Sequence, residues 1–357
     1  MQSPLFNPLR VGSLTIPNRM IMAPMTRGRN NADGSPNELV ARYYKQRASA
    51  GLIVTEATAI SPQGSGWVGA PGIYTDSHVA GWKKVTDGVH QAGGHIFLQL
   101  WHMGRVSHPD FLNGELPVAP SVIAANGETH TPLGKKSYVT PRALTLDEIK
   151  ATIATYGTAT KLAKQAGFDG VELHAANGYL IDQFLRDCSN QRADEYGGTI
   201  EKRLRFLLEA TKAAIENWSA GNVAVRLSPS GQYNDMHDTT AEATFTHAAE
   251  KLGALGLAYL HIMEPIAGQM FVPGTPIGPA MRKAFNGTVI VNGGYYAETG
   301  AAAITQGLAD AVAFGVPFLT TPDLVSRYQS GAPINPPDYK TLYSPGEQGY
   351  TDYPALA

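Results

Sequence analysis

Short runs of apolar and β-branched residues recur along the chain, each followed by a polar or glycine-rich turn and then by apolar positions at helical spacing. The runs fall at 20–25, 52–56, 95–100, 170–174, 223–227, 259–263, 288–292 and 311–314. Most show little alternation of apolar and polar positions, the pattern of parallel strands covered on both faces. Helices are predicted between them at 37–50, 77–92, 146–166, 200–217, 240–255, 278–285 and 297–307. The clearest is 146–166, because Thr145 is a good N-cap, Glu148 completes a capping-box spacing and Gly167 follows the last turn. Eight strand-helix repeats predict an α/β fold, one (β/α)8 TIM barrel over 1–357. A doubly wound open sheet is the competing architecture, but no Gly-x-Gly-x-x-Gly turn opens the first unit.

Three segments stand outside this period. Residues 101–145 are rich in Pro, Gly and Asn without a long helix, which predicts an inserted cap of loops after the third strand, over one barrel mouth. A Gly12-Ser13 turn between two short apolar runs predicts an N-terminal hairpin plugging the other mouth. In the turn-rich tail, Tyr343, Tyr350 and Tyr353 are placed to fold back as a flap.

The 357 residues are 43% hydrophobic, enough for a large core. Charged residues make up only 16%, and 28 basic against 30 acidic side chains leave a net charge of -2, with no basic run that would follow a nucleic-acid backbone. Cys188 is the single cysteine, which rules out an internal disulfide or an all-cysteine zinc or iron-sulfur site. The N-terminus carries no basic segment followed by an apolar one, and no long apolar span occurs. A cytoplasmic protein, a monomer or homodimer that binds neither nucleic acid nor membrane, is expected.

Polar residues at the C-terminal ends of barrel strands converge on the active site in this architecture. Those ends read Pro24, Met25 and Thr26 after the first strand, Gln99 and Trp101 on the third, and His174, Asn177 and Tyr179 after the fourth. Arg226 closes the fifth, Asn292, Gly293 and Gly294 the seventh, and Phe314, Gly315 and Val316 the eighth. Glycines after strands seven and eight point to a phosphate site built from loop N–H groups, against the plainer alternative of tight turns. His174 and Asn177 offer nitrogen donors for a carbonyl or nitro oxygen, and the Tyr179 phenol can deliver a proton to the adjoining carbon. A packed core histidine and tyrosine is the competing reading. A zinc site lacks a third ligand at suitable spacing. Arg226 supplies a fixed positive charge, unless it only serves a salt bridge.

These residues lie in longer motifs that resemble the old yellow enzyme family of flavin mononucleotide (FMN)-dependent ene-reductases, most closely its bacterial members. The motifs are Ala23-Pro24-Met25-Thr26-Arg27, Gln99-Leu100-Trp101-His102-Met103-Gly104-Arg105, the stretch 167–180 containing His174-Ala175-Ala176-Asn177-Gly178-Tyr179, Ser189-Asn190-Gln191-Arg192 and the closing Gly349-Tyr350-Thr351-Asp352-Tyr353-Pro354. The resemblance implies that Thr26 bonds the flavin O4 region, that Pro24, Met25 and Ala57 contact the ring, that Gln99 binds its pyrimidine edge and that Arg226 sits by N1 and O2. It implies further that NADPH or NADH reduces the flavin and leaves, and that an activated alkene or nitro compound then enters the same pocket. His174 and Asn177 would hold its oxygen, Tyr179 would protonate the α-carbon, and Trp67, Trp101 and Tyr350 would shape the pocket.

The single cysteine sets the chain apart from the related dienoyl-CoA reductases, which need a cysteine-held cluster. One departure concerns the cofactor. The family's Phe-Gly-Arg is here Phe314-Gly315-Val316, so the arginine that grips the flavin phosphate is missing. Two readings from other classes stay open in the sequence: a phosphate-binding aldolase or isomerase using Glu56 or Glu264 as base, and a flavin-binding protein without catalysis.

Overall fold

The computed structural model describes residues 3–264 and 276–356. Among these, eight parallel strands form the barrel: Met20–Met22 (β1), Leu52–Val54 (β2), Ile96–Trp101 (β3), Gly170–His174 (β4), Val223–Leu227 (β5), Leu260–Met263 (β6), Val289–Asn292 (β7) and Ala311–Phe314 (β8). Each pairs with the next, and β8 returns to β1 through Val312 opposite Met20, which closes the ring. The (β/α)8 expectation holds. Nearly every strand residue is buried, as a sheet with helices outside and side chains inside requires.

The predicted first strand ends early, at Met22. Beyond it the Arg27 and Gly28 amides leave the sheet and donate to Glu56 Oε2 at 3.0 and 3.1 Å. The helix from Leu146 to Gln165 has the expected capping box, with Glu148 N donating to Thr145 Oγ1 and Thr145 N to Glu148 Oε2. Three short helices were not predicted: Leu180–Leu185, Val316–Thr320 and Leu324–Ser330. None is long enough to show a helical period.

Inside the barrel, Ile21, Leu52, Phe97, Ala224, Tyr259 and Ile290 form a cluster that Val11 and Ile16 close from below. Both belong to the N-terminal hairpin, whose strands Leu9–Val11 and Leu14–Ile16 pair antiparallel. Its turn needs glycine, because at Gly12 φ is +53° and a Cβ would fall 2.1 Å from the Gly221 carbonyl oxygen. At the opposite mouth, the 101–145 segment contains an antiparallel pair, Glu128–Thr131 with Gly134–Ser137, among short turns. No helix among the described residues is long and apolar enough to cross a membrane.

His102 stands buried at the root of this insertion, where its Nδ1 accepts from the Gly104 amide at 3.1 Å. Burial pushes its pKa down to about 3. The unfolded chain therefore binds a proton near pH 6.5 that the folded one refuses, so this group's stability is complete above pH 6.5 and is lost as pH falls toward 3. His102→Asn, which keeps an acceptor without a titrating ring, is expected to flatten the fall of Tm between pH 6.5 and 4, measured by thermal unfolding. An unchanged profile counts against this assignment.

Candidate active site

A cavity of about 180 Å3 opens at the C-terminal mouth of the barrel, lined by Pro24, Thr26, Ala57, Trp67, Gln99, His174, Asn177, Tyr179, Arg226, Tyr233 and Tyr343. Nine of these eleven were predicted from the sequence. They meet because strand ends converge here, although the residues span 24 to 343 of the chain.

The β4 end is held by its neighbours. Asn177 sits at φ +58° and Gly178 at +76°, a tight turn that lets Asn177 N take Ser228 Oγ as acceptor at 2.8 Å and Gly178 N take Asp182 Oδ2 at 2.8 Å. A Cβ at Gly178 would come within 2.7 Å of the Asn234 side chain, so the post-β5 loop packs directly on this turn. Asn234 Nδ2 also donates to the Asn177 carbonyl at 2.8 Å. The His174 and Tyr179 rings stand edge to face at 4.8 Å.

Protonation states follow from burial. His174 is held well below the usual histidine range by desolvation first and by the Arg226 charge second, so it is a neutral imidazole. Desolvation raises the Tyr179 phenol far above its ordinary value, so it keeps its proton near neutrality. The same burial lowers Arg226, opposed by the Glu172 carboxylate, but a guanidinium stays charged.

A second cavity of about 500 Å3 adjoins the ends of β7 and β8, lined among others by Asn292, Gly293, Gly294, Ala313, Gly315 and Val316. Asn292 joins the two chambers, accepting from Arg226 Nη2 at 2.8 Å and donating to the Ala313 carbonyl at 2.9 Å. Met25 stands alongside, and a Cβ on Gly315 would lie 3.4 Å from its sulfur.

Three predicted residues are placed elsewhere. Tyr350 does not reach the pocket: it is fully buried, stacked on Tyr43 at 4.0 Å with the Arg27 and Arg29 guanidinium groups over its ring. The tail is strapped down around it, since Arg29 donates to the carbonyls of Thr341, Leu342, Gly346 and Gln348, and this brings Tyr343 to the cavity instead, 5.6 Å from Trp67. Trp101 is buried behind Tyr179, edge to face at 5.1 Å, and supports the phenol without lining the cavity. Phe314 points outward from β8 against Tyr328, so strand alternation puts its neighbour Ala313 on the cavity. Tyr233 was missed because it lies in an irregular loop after β5 with no periodic signal.

The carboxylates considered as bases are committed to backbone. Glu56 accepts from Arg27 and Gly28, and Glu264 accepts from Ile277 N and Gly278 N at 2.9 Å and from the Ser230 hydroxyl.

Arg226 Nε, His174 Nδ1 and Asn177 Oδ1 are buried without a partner among the described residues. Buried polar atoms are rarely left so, and a polar ligand would satisfy this wall. A chamber edged by an amide, a hydroxyl and a guanidinium, linked through the Arg226–Asn292 bond to a glycine cradle, fits the ring and phosphate ends of a flavin nucleotide. The class is thus a flavin-dependent barrel oxidoreductase. Residues 4–335 match the NADH:flavin oxidoreductase / NADH oxidase family, and the chain belongs to it as an FMN-dependent member of the old yellow enzyme type.

The chain is 46% identical to the old yellow enzyme homologue from Zymomonas mobilis, with a TM-score of 0.97 over 99% of both chains. Morphinone reductase in complex with tetrahydroNAD superposes with a TM-score of 0.94 at 46% identity, over 99% of this chain and 98% of that one. The chanoclavine-I aldehyde reductase of Penicillium roqueforti is 42% identical over 361 residues, covering 98% of this chain and 95% of that protein.

Proposed function

We propose that this chain reduces the activated C=C bond of α,β-unsaturated carbonyl or nitro compounds at the expense of NADPH or NADH, the two substrates using one pocket in turn. The observation that carries the reading is the placement of two nitrogen-bearing side chains, His174 and Asn177, beside a protonated phenol, Tyr179, over one small cavity. Bound there, FMN would supply the two-electron hydride chemistry that links nicotinamide oxidation to reduction at the substrate β-carbon. His174 and Asn177 hold the carbonyl or nitro oxygen and stabilise the negative charge that grows on it. Tyr179 gives its proton to the α-carbon and regains one from solvent, which completes the addition of two hydrogens across the bond. Gln99 and Thr26 address the polar edge of the ring, and Arg226 favours the state in which that edge is negative. Trp67, Tyr233 and Tyr343 bound the space left for substrate.

The test is an anaerobic visible spectrum of the FMN-loaded protein. Bleaching by NADPH or NADH and return of colour on adding 2-cyclohexenone are expected. A flavin that neither reductant bleaches, or that the enone leaves bleached, overturns the reading.

Phosphate binding in the second cavity rests on neutral groups, since neither lysine nor arginine is among its lining residues within the described part of the chain. Val316 stands there 40% exposed, with room for a longer side chain. A charge-assisted bond to phosphate is worth about 1.5–3 kcal/mol, so Val316→Arg is expected to tighten FMN about 10- to 100-fold in a fluorescence titration. Equal dissociation constants for the two proteins would show that the phosphate lies elsewhere.

A further inference from the structure

Beneath the cavity floor lies a buried polar cluster that the reaction as described does not use. Glu172 is fully buried on β4, directly opposite Gln99 of β3 in the parallel register. Its Oε1 accepts from Gln99 Nε2 at 2.7 Å, and its Oε2 accepts from the Tyr259 hydroxyl at 3.0 Å and from His261 Nδ1 at 2.9 Å. A carboxylate in the dry interior of a barrel is costly, and it survives only with such a set of donors. The neighbouring layer toward the mouth holds His174 opposite Arg226, and Arg226 opposite His261.

Two consequences follow for the cavity above. One of the two Gln99 amide N–H groups is committed to Glu172, which fixes the amide's orientation and leaves its carbonyl oxygen and second N–H for a ligand. Glu172 also places a negative charge in the layer next to Arg226, two residues before His174 and bonded to His261, both of which stand opposite Arg226 in register.

We infer that Glu172 is a positioning residue for the cofactor, fixing the Gln99 amide and tempering the Arg226 charge so that the bound flavin has a lower reduction potential than Arg226 alone would give. The inference rests on the FMN reading of this cavity. The sign is fixed by charge: reduction adds negative charge at the flavin edge, which Arg226 favours and Glu172 opposes. Tyr259 and His261 limit this effect, since their bonds to Oε2 neutralise part of the carboxylate's charge.

Glu172→Gln removes the charge while keeping an oxygen that accepts from Gln99. The potential of bound FMN, measured against reference dyes, is expected to rise by an amount equal to about a tenfold gain in affinity for reduced over oxidised flavin, or about 30 mV for two electrons. Affinity for oxidised FMN is expected to stay within a few-fold. A purely structural role would weaken both redox states together and leave the potential unmoved, and that result overturns the proposal. Should Glu172→Gln not fold, Tyr259→Phe carries the test: with one donor fewer, more of the carboxylate charge is felt and the potential falls. An unchanged potential in that variant is equally fatal. Failure of the wild-type protein to bind FMN at all would refute the reading of the cavity instead.

Discussion

Tyr179→Phe is expected to slow the oxidation of reduced enzyme by 2-cyclohexenone by about 10²- to 10⁴-fold, while reduction by NADPH stays within a few-fold of wild type. The ring remains in both proteins, so its edge contacts with Trp101 and His174, at 5.1 and 4.8 Å, are preserved. Only the hydroxyl is lost. Its burial keeps the proton in place, which suits a donor and not a base. Reduction of the flavin by a nicotinamide needs no proton from this phenol, so the two half-reactions respond differently. Rapid-mixing measurement of each half-reaction separates them. Equal losses in both would mean that Tyr179 shapes the pocket for every ligand and that the proton comes from solvent.

What the sequence revealed of this site depended on how each residue is displayed along the chain. Gln99, His174 and Arg226 interrupt apolar strand segments, and a polar residue at the end of a buried strand has few explanations other than a site. Asn177 and Tyr179 were legible because they fall within six residues of His174 at the end of the fourth strand, where two nitrogen donors and a phenol come together. Tyr350 and Phe314 misled for two distinct reasons. The tail carries several tyrosines without periodicity, and only the arginine-to-carbonyl straps decide which of them turns inward. At the end of β8, a bulky Phe314 beside a small Ala313 invites the larger residue as the contact, whereas the pleat sends it outward. Glu172 and His261 were hidden because each sits alone inside a strand whose register had to be known before they could be paired.

His174 offers the second large effect. As a neutral imidazole it donates through one N–H, and removing one of two donors to a developing oxyanion costs about 10²- to 10³-fold. His174→Ala is therefore expected to lower kcat/KM for the enone by about that factor, with Asn177 left to hold the oxygen alone. Loss of packing would produce a fall as well, so rescue decides the matter: His174→Asn restores a nitrogen donor in a smaller side chain and is expected to recover about tenfold of the loss. The pH profile provides a separate check. With its pKa held well below 6.5, the imidazole carries no extra proton between pH 6 and 8, and the enone half-reaction is expected to be level across that range. A rate that climbs as pH falls toward 6 would mean that the histidine acts as an imidazolium, and the donor would then be a charged group despite the repulsion of Arg226.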